Sequence, residues 1–163
     1  MKSLQSINFK NKKALIRVDF NVPLNAQFQV TDSTRIVSAK PTIMKVLEDG
    51  GSCVLMSHLG RPESKESAFS LKHIVRTLET VLGVEVLFSS SCIGEDAQKF
   101  CDNLKPGQIL LLENLRYHSD ETRGIENFAK ELSKLGDFYI NAAFGTAPRA
   151  HASTPIIAKF FQE

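Results

Sequence analysis

Basic side chains follow the short apolar runs of this chain, at the points where those runs give way to turns. They are His58, Arg61, Arg116 and Arg149. If the runs are parallel strands, their carboxyl ends share one edge of a sheet, and ligands bind in the crevice beyond that edge. Arginine donates two parallel hydrogen bonds to a carboxylate or a phosphate, and its charge does not titrate near neutrality. The sequence therefore predicts a pocket for a small, highly charged anion such as a phosphorylated carboxylic acid.

A carboxylate and an amide, Asp19 and Asn21, follow the first apolar run. The charge of Asp19 does not favour an anion, so we expect this side chain to accept a hydrogen bond from a ligand hydroxyl or to orient a neighbouring arginine. Asn21 can donate and accept, and it also suits a hydroxyl. The alternative is that both residues only end the strand and cap the turn.

Arg35 opens the first predicted helix, near the same edge. The helix dipole disfavours a positive charge at this end by about 0.3 to 1 kcal/mol, so an arginine here is a functional candidate. His58 and His151 flank the edge. Beside Arg61 and Arg149 we interpret them as hydrogen-bond donors to the anion and not as general bases.

Strand-like runs rich in Val, Ile and Leu alternate with segments of helical periodicity. The predicted strands are 14–20, 52–57, 84–88, 108–114 and 137–141, and the predicted helical stripes are 36–47, 71–82, 97–104 and 125–132. This alternation predicts an α/β fold, a three-layer αβα sandwich with a mostly parallel, doubly wound, Rossmann-like sheet. Pro41 predicts a bend in the first helix or a late start. We expect a small hairpin-like excursion at 22–32 and a flexible loop at 60–69.

The length, charge and cysteine content of the chain argue against several classes of protein. The 163 residues suit one core, so we expect a single domain over residues 1–163. A net charge of +2 argues against bulk nucleic-acid binding. Neither a membrane-spanning run nor a secretory signal is visible. The three cysteines lack metal-type spacing, and we interpret them as reduced, buried thiols of a cytoplasmic protein.

Motifs for nucleotides and metals are missing from the sequence. It contains neither G-x-x-x-x-G-K-[ST] nor a G-x-G-x-x-G turn after the first strand. A nucleophile elbow, an H-E-x-x-H helix and a Cys/His metal set are also missing. We therefore expect no metal and no cofactor to be held by this chain.

Four stretches resemble signature segments of the phosphoglycerate kinase family, in matching order and spacing. They are 17–24 (RVDFNVPL), 57–62 (SHLGRP), 110–117 (LLLENLRY) and 143–154 (AFGTAPRAHAST). The resemblance covers essentially the whole chain but only the N-terminal domain of the family. It implies a 3-phosphoglycerate pocket formed by Asp19, Asn21, Arg35, His58, Arg61, Arg116 and Arg149. It further implies that Arg35 stabilises the transferring phosphoryl group and that His151 belongs to the surrounding basic patch.

The resemblance also implies the reaction, a reversible phosphoryl transfer of glycolysis between an acyl phosphate and ADP. The magnesium nucleotide would be held by a second domain, so we expect this chain alone, a monomer, to bind 3-phosphoglycerate weakly and to catalyse nothing. Two residues depart from the family pattern, since Ala142 replaces an Asp and Pro148 replaces a His. They leave open a non-catalytic anion-binding or regulatory module, or a degenerate folding unit.

Overall fold

A five-stranded sheet forms the centre of the computed structural model, which describes residues 3–143 and 152–161. The strands are β1 (Lys13–Arg17), β2 (Ser52–Met56), β3 (Val86–Ser89), β4 (Ile109–Leu112) and β5 (Phe138–Asn141). Their spatial order is β3-β4-β2-β1-β5, and every neighbouring pair is parallel. The predicted α/β class and parallel sheet are confirmed.

Helices cover both faces of the sheet. They are α1 (Thr34–Glu48), α2 (Val75–Leu82), α3 (Glu95–Asp102), α4 (Ser119–Thr122) and α5 (Glu126–Ser133). Buried side chains of α1 and α2 pack on one face, and those of α3 and α5 pack on the other with the segment 152–161. The three-layer, doubly wound arrangement is therefore confirmed. No helix in the described part of the chain combines the length and hydropathy needed to cross a membrane.

Three strands, β1, β2 and β4, end earlier than their apolar runs suggest. β1 stops at Arg17, whereas the predicted strand reached residue 20. The Val18 amide still donates to the backbone oxygen of Met56 at 3.0 Å. The Phe20 amide, in contrast, donates to a side chain, Ser57 Oγ, at 2.9 Å. Apolar residues beyond the last ladder bond stay buried while the chain turns away from the sheet.

Two details of the helices differ from expectation. The late helix start is wrong, since α1 begins at Thr34 and runs through Pro41. Its first turn is held by Asp32 Oδ1, which accepts from Thr34 N at 2.9 Å. Phe100, predicted on the buried stripe of α3, is 39% exposed. It borders a cleft with Leu87 of β3, the last strand at that end of the sheet, so the sheet does not extend far enough to cover it.

The two irregular stretches lie where the sequence places them. Residues 22–32 form a small excursion closed by an antiparallel bridge between Leu24 and Val30. Residues 60–69 are mostly exposed, and the stretch contains a 3-10 turn at Ser67–Phe69. Both stretches begin at the carboxyl end of a strand.

Candidate anion-binding site

The segments that follow β1, β2 and β4 lie side by side, because these strands are neighbours in the sheet. Hydrogen bonds tie the segments to one another: Gly60 N donates to Asn21 Oδ1 at 2.8 Å, and Leu115 N donates to Ser57 O at 3.0 Å. This carboxyl edge thus places the residues after three strands within one connected surface.

Arg35 reaches from the first turn of α1 to the segment after β1. Its Nη1 donates to Asn21 O at 2.7 Å and to Asp19 Oδ1 at 3.3 Å. The Arg35 side chain remains 52% exposed, so its other donor groups face solvent at the edge. Asp19 therefore orients an arginine, the second of the two arrangements expected for it. The Asn21 carbonyl oxygens, backbone and side chain, are both engaged, which leaves the amide nitrogen Nδ2 to donate to a ligand.

His58 lies under the edge, only 7% exposed, with its Nδ1 3.1 Å from Arg17 Nη2. Arg17 is 1% exposed, and its Nη1 donates to Val18 O at 2.5 Å while its Nε donates to Ser153 Oγ at 2.9 Å. Sequence reasoning missed this role for Arg17. The available signal was a charged residue inside the apolar run ALIRV, where a solvated side chain has no room.

A buried carboxylate balances this buried guanidinium. Glu121 accepts hydrogen bonds from Ser153 N at 2.8 Å and from Ser153 Oγ, which in turn accepts from Arg17. Burial lowers the pKa of Arg17, while the charge of Glu121 acts in the opposite direction. Burial also raises the pKa of Tyr139, whose hydroxyl donates to Ser153 O at 2.8 Å. Glu121 was not singled out in the sequence, where it is one acidic residue among several on a polar segment.

Asn114, fully buried, closes the loop that carries Arg61. Its Nδ2 donates to Leu59 O and to Phe69 O, both at 2.8 Å. Its Oδ1 accepts from Leu59 N at 3.2 Å and from Arg116 N at 2.9 Å. One side chain therefore fixes both ends of the loop and the turn that follows β4.

Glu113 also holds the end of the loop that carries Arg61. Its Oε2 accepts from Ser70 Oγ at 2.6 Å, and its Oε1 accepts from Leu71 N and Asn114 N, both at 2.8 Å. These bonds fix the point where the loop enters the 3-10 turn Leu71–Ile74. The signal for both residues was an acid and an amide placed directly after a buried strand.

Comparisons with known proteins identify the family of the chain. The phosphoglycerate kinase family model matches residues 4–163. The chain belongs to this family. A phosphoglycerate kinase of Porphyromonas gingivalis is 44% identical over 98% of the chain, and one of Chlorobaculum tepidum is 47% identical over 99%.

Solved phosphoglycerate kinase structures share the fold. The enzyme of Coxiella burnetii superposes with a TM-score of 0.86 at 35% identity over 98% of the chain, and that of Pyrococcus horikoshii OT3 with 0.88 at 30% over 99%. The chain spans about two fifths of the length of these relatives, 44% and 41% of the two curated sequences.

The structure describes six of the seven residues that resemble the phosphoglycerate kinase pocket. Asp19, Asn21 and Arg35 are joined by direct hydrogen bonds. His58 lies at the end of β2 against Arg17, and Arg61 is exposed in the loop that Asn114 closes.

Two residues of that set are left, Arg116 and Arg149. Arg116 lies on the 3-10 turn Leu115–Tyr117, half-buried. Arg149 lies outside the described residues, as do His151 and Pro148. The other departure from the phosphoglycerate kinase pattern, Ala142, is half-buried, and its amide donates to Arg17 O at 2.8 Å. This substitution therefore lies directly beside the buried arginine.

Proposed function

We propose that this chain is the 3-phosphoglycerate-binding part of a phosphoglycerate kinase. The observation that carries the proposal is the anchoring of Arg35 by Asp19 and Asn21 at the carboxyl end of β1. The segments carrying His58 and Arg61 lie at the same edge.

The ligand chemistry follows from the donors at this edge. A phosphate and a carboxylate on one small molecule carry enough negative charge to balance several arginines, whose guanidinium groups donate in pairs to such oxygens. Asn21 offers its amide to the hydroxyl between the two anionic groups. Without an anion, the mutual repulsion of the basic residues destabilises this edge.

The full-length protein would transfer a phosphoryl group reversibly between 1,3-bisphosphoglycerate and ADP, the kinase step of glycolysis. Such a transfer depends on positioning and charge stabilisation and needs little covalent chemistry from the protein. Arg35 would contact the transferring group. We expect the protein to work as a monomer in the cytoplasm, in keeping with three buried free cysteines.

The magnesium nucleotide is assigned to the part of the full-length protein outside this chain. Residues 3–143 and 152–161 contain no group of three potential metal ligands, and the proposal routes no step through a metal held here. Closure of the two halves would bring the nucleotide to Arg35 and exclude water. Alone, the chain should bind the acid and turn nothing over.

Titration calorimetry of this chain with 3-phosphoglycerate tests the proposal. We expect binding heat at millimolar ligand, weaker binding of inorganic phosphate and of glycerate, and an affinity about tenfold lower for Arg61→Ala. Arg76→Ala is the matched control, since Arg76 is an exposed arginine on α2. A folded protein that shows no heat at millimolar 3-phosphoglycerate would overturn the proposal.

Ala142 favours a second candidate, a non-catalytic anion-binding or regulatory module derived from the enzyme. Its methyl group stands where the family has a carboxylate, and its amide bonds to the backbone of Arg17. A kinase assay on the full-length protein separates the two candidates. Turnover that rises when Ala142 is changed to Asp would identify an impaired kinase, whereas binding without any turnover in both forms would identify the module.

A further inference from the structure

The contact between Arg17 and His58 determines which ring nitrogen of the histidine carries the proton. Arg17 Nη2 and His58 Nδ1 are 3.1 Å apart. Arginine nitrogens are hydrogen-bond donors only, and the guanidinium keeps its charge in proteins. Because Nη2 donates a hydrogen in this contact, Nδ1 has to accept it with a lone pair.

A histidine ring has a lone pair on nitrogen only when it is neutral, and then on one nitrogen. With the lone pair at Nδ1, the proton of His58 lies on Nε2. A protonated ring would direct an N–H group at another N–H group across 3.1 Å and would place a second positive charge beside the buried guanidinium. The contact is therefore compatible with one form of the ring.

The guanidinium is anchored on its other sides. Val18 O accepts from Nη1 and Ser153 Oγ accepts from Nε, while Ser153 donates to Glu121. Arg17 and Glu121 are both buried, at 1% and 0% exposure, and Asp19 and Tyr139 are the other groups whose charge acts on Arg17. These contacts anchor Arg17, so we expect the ring to adapt to the arginine.

We propose that Arg17 is a positioning residue that holds His58 as a neutral imidazole protonated at Nε2, so that the end of β2 carries an uncharged N–H group and not a second positive charge. The protonation state stands on the geometry alone. The use of that donor by a phosphate or carboxylate oxygen rests on the proposed function. His58 then contributes a hydrogen bond to the anion site, and the positive charge comes from the arginines.

Nitrogen-15 NMR of the histidine rings tests the protonation state on this chain without any ligand. At neutral pH, two-bond correlations should identify Nδ1 of His58 as the bare nitrogen and Nε2 as the protonated one, with His58→Gln used to assign the signals. A bare Nε2, or protons on both nitrogens, would overturn the proposal whatever the chain binds.

Arg17→Lys tests whether the arginine is responsible. Lysine keeps the charge but lacks the planar fork, so a folded variant should show both neutral forms of His58 in exchange. If the ring in that variant were protonated only at Nε2, Arg17 would not be responsible for the protonation state of His58. If the variant does not fold, the coupling across the hydrogen bond between Arg17 Nη2 and His58 Nδ1 in the unmodified chain decides instead, and a proton found on Nδ1 rejects the proposal.

Binding of 3-phosphoglycerate measures the use of the donor. His58→Ala should weaken binding about tenfold, as expected for a lost hydrogen bond to a charged group. His58→Gln, which brings an amide N–H to the Nε2 position, should weaken binding less. Equal losses would contradict a neutral donor. If the unmodified chain binds no 3-phosphoglycerate at all, the proposed function fails, while the NMR result still decides the protonation state.

Discussion

The two edges of the sheet are closed in different ways. At the amino edge, neighbouring turns bond to each other through the backbone: Ser52 N donates to Lys12 O at 2.9 Å, and Gly107 N donates to Gly51 O at 2.8 Å. Glycines allow this close approach, since a Cβ on Gly51 would lie 2.6 Å from Phe9 O. Stability at this edge depends on backbone fit.

At the carboxyl edge, buried side chains close the turns in addition to backbone bonds such as that from Leu115 N to Ser57 O. Asn114, Glu113 and Ser57 hold segments that are distant in sequence, at distances between 2.6 and 3.2 Å. Side-chain bonds to the ends of the 59–69 loop fix those ends and leave Arg61 exposed between them. The amino edge therefore maintains the fold, and the carboxyl edge arranges the proposed anion site.

The largest effect is expected for Arg35→Ala in the full-length protein. If Arg35 stabilises phosphoryl transfer as proposed, its removal should lower turnover about 10³-fold, whereas affinity for 3-phosphoglycerate should fall only about tenfold. Steady-state kinetics and calorimetry measure the two losses, with Arg76→Ala as the control. Equal losses in both would mean that Arg35 only binds the acid, and the carboxyl edge would then be a binding surface without a catalytic residue.

Asn114→Asp should destabilise the chain by about 3 kcal/mol, since two buried carbonyls lose their donor and a charge is introduced into a buried position. Urea unfolding measures the loss, and amide exchange should accelerate over residues 59–69. Asn103→Asp is the matched control, because Asn103 is exposed and its side chain bonds only to Lys99 O within the described part of the chain, from Nδ2 at 2.9 Å. Similar losses in the two variants would show that side-chain closure of the carboxyl edge contributes little.

Gly51→Ala tests the amino edge. It should lower the free energy of unfolding by about 2 kcal/mol through overpacking, since the new Cβ would lie 2.6 Å from Phe9 O and 2.9 Å from Lys12 O. Gly107→Ala is the control. It has open space around a Cβ but a φ of +87°, so only the backbone strain of about 1 kcal/mol remains. The folded Gly51→Ala protein should bind 3-phosphoglycerate as before. A weakened affinity would show that the two edges are coupled.

Much of this division between the edges follows from the sequence. The five apolar runs predict the strands, and the residues after them predict the basic edge, because the carboxyl ends of parallel strands always meet at one edge. Local spacing also predicts the helix stop at Gly83, which adopts a φ of +74°.

The bonds that hold the edge could not be predicted in the same way. Asn114 bonds to Leu59, 55 residues away, and Arg17 bonds to Ser153, 136 residues away. Periodicity reports which face of an element is buried but not which polar group meets which across the fold. A buried polar residue within an apolar run, such as Arg17, shows that a partner exists without identifying it.

The smallest effects are expected for two aspartates, Asp32 and Asp49, which flank the two ends of α1. At the amino edge, Asp49 Oδ2 accepts from Lys45 Nζ at 2.7 Å and from Phe9 N at 3.2 Å, and these bonds lower its pKa below the ordinary value of 3.8. At the carboxyl edge, Asp32 accepts from the hydroxyl and amide of Thr34, which lower its pKa as well. A lowered pKa means that each carboxylate stabilises the fold above pH 3.8 and loses this contribution as the pH falls below that value.

Asp49→Asn and Asp32→Asn should therefore each reduce stability at neutral pH and flatten its decline below pH 3.8, the ordinary aspartate value. Urea midpoints measured across this range give both quantities. Asp49→Asn should have the larger effect on stability because Asp49 holds the amide of Phe9, a fully buried core residue. Asp32→Asn should instead alter 3-phosphoglycerate affinity, since Asp32 fixes the turn from which Arg35 extends. If Asp49→Asn changed affinity and Asp32→Asn did not, the assignment of stability to one edge and binding to the other would be reversed.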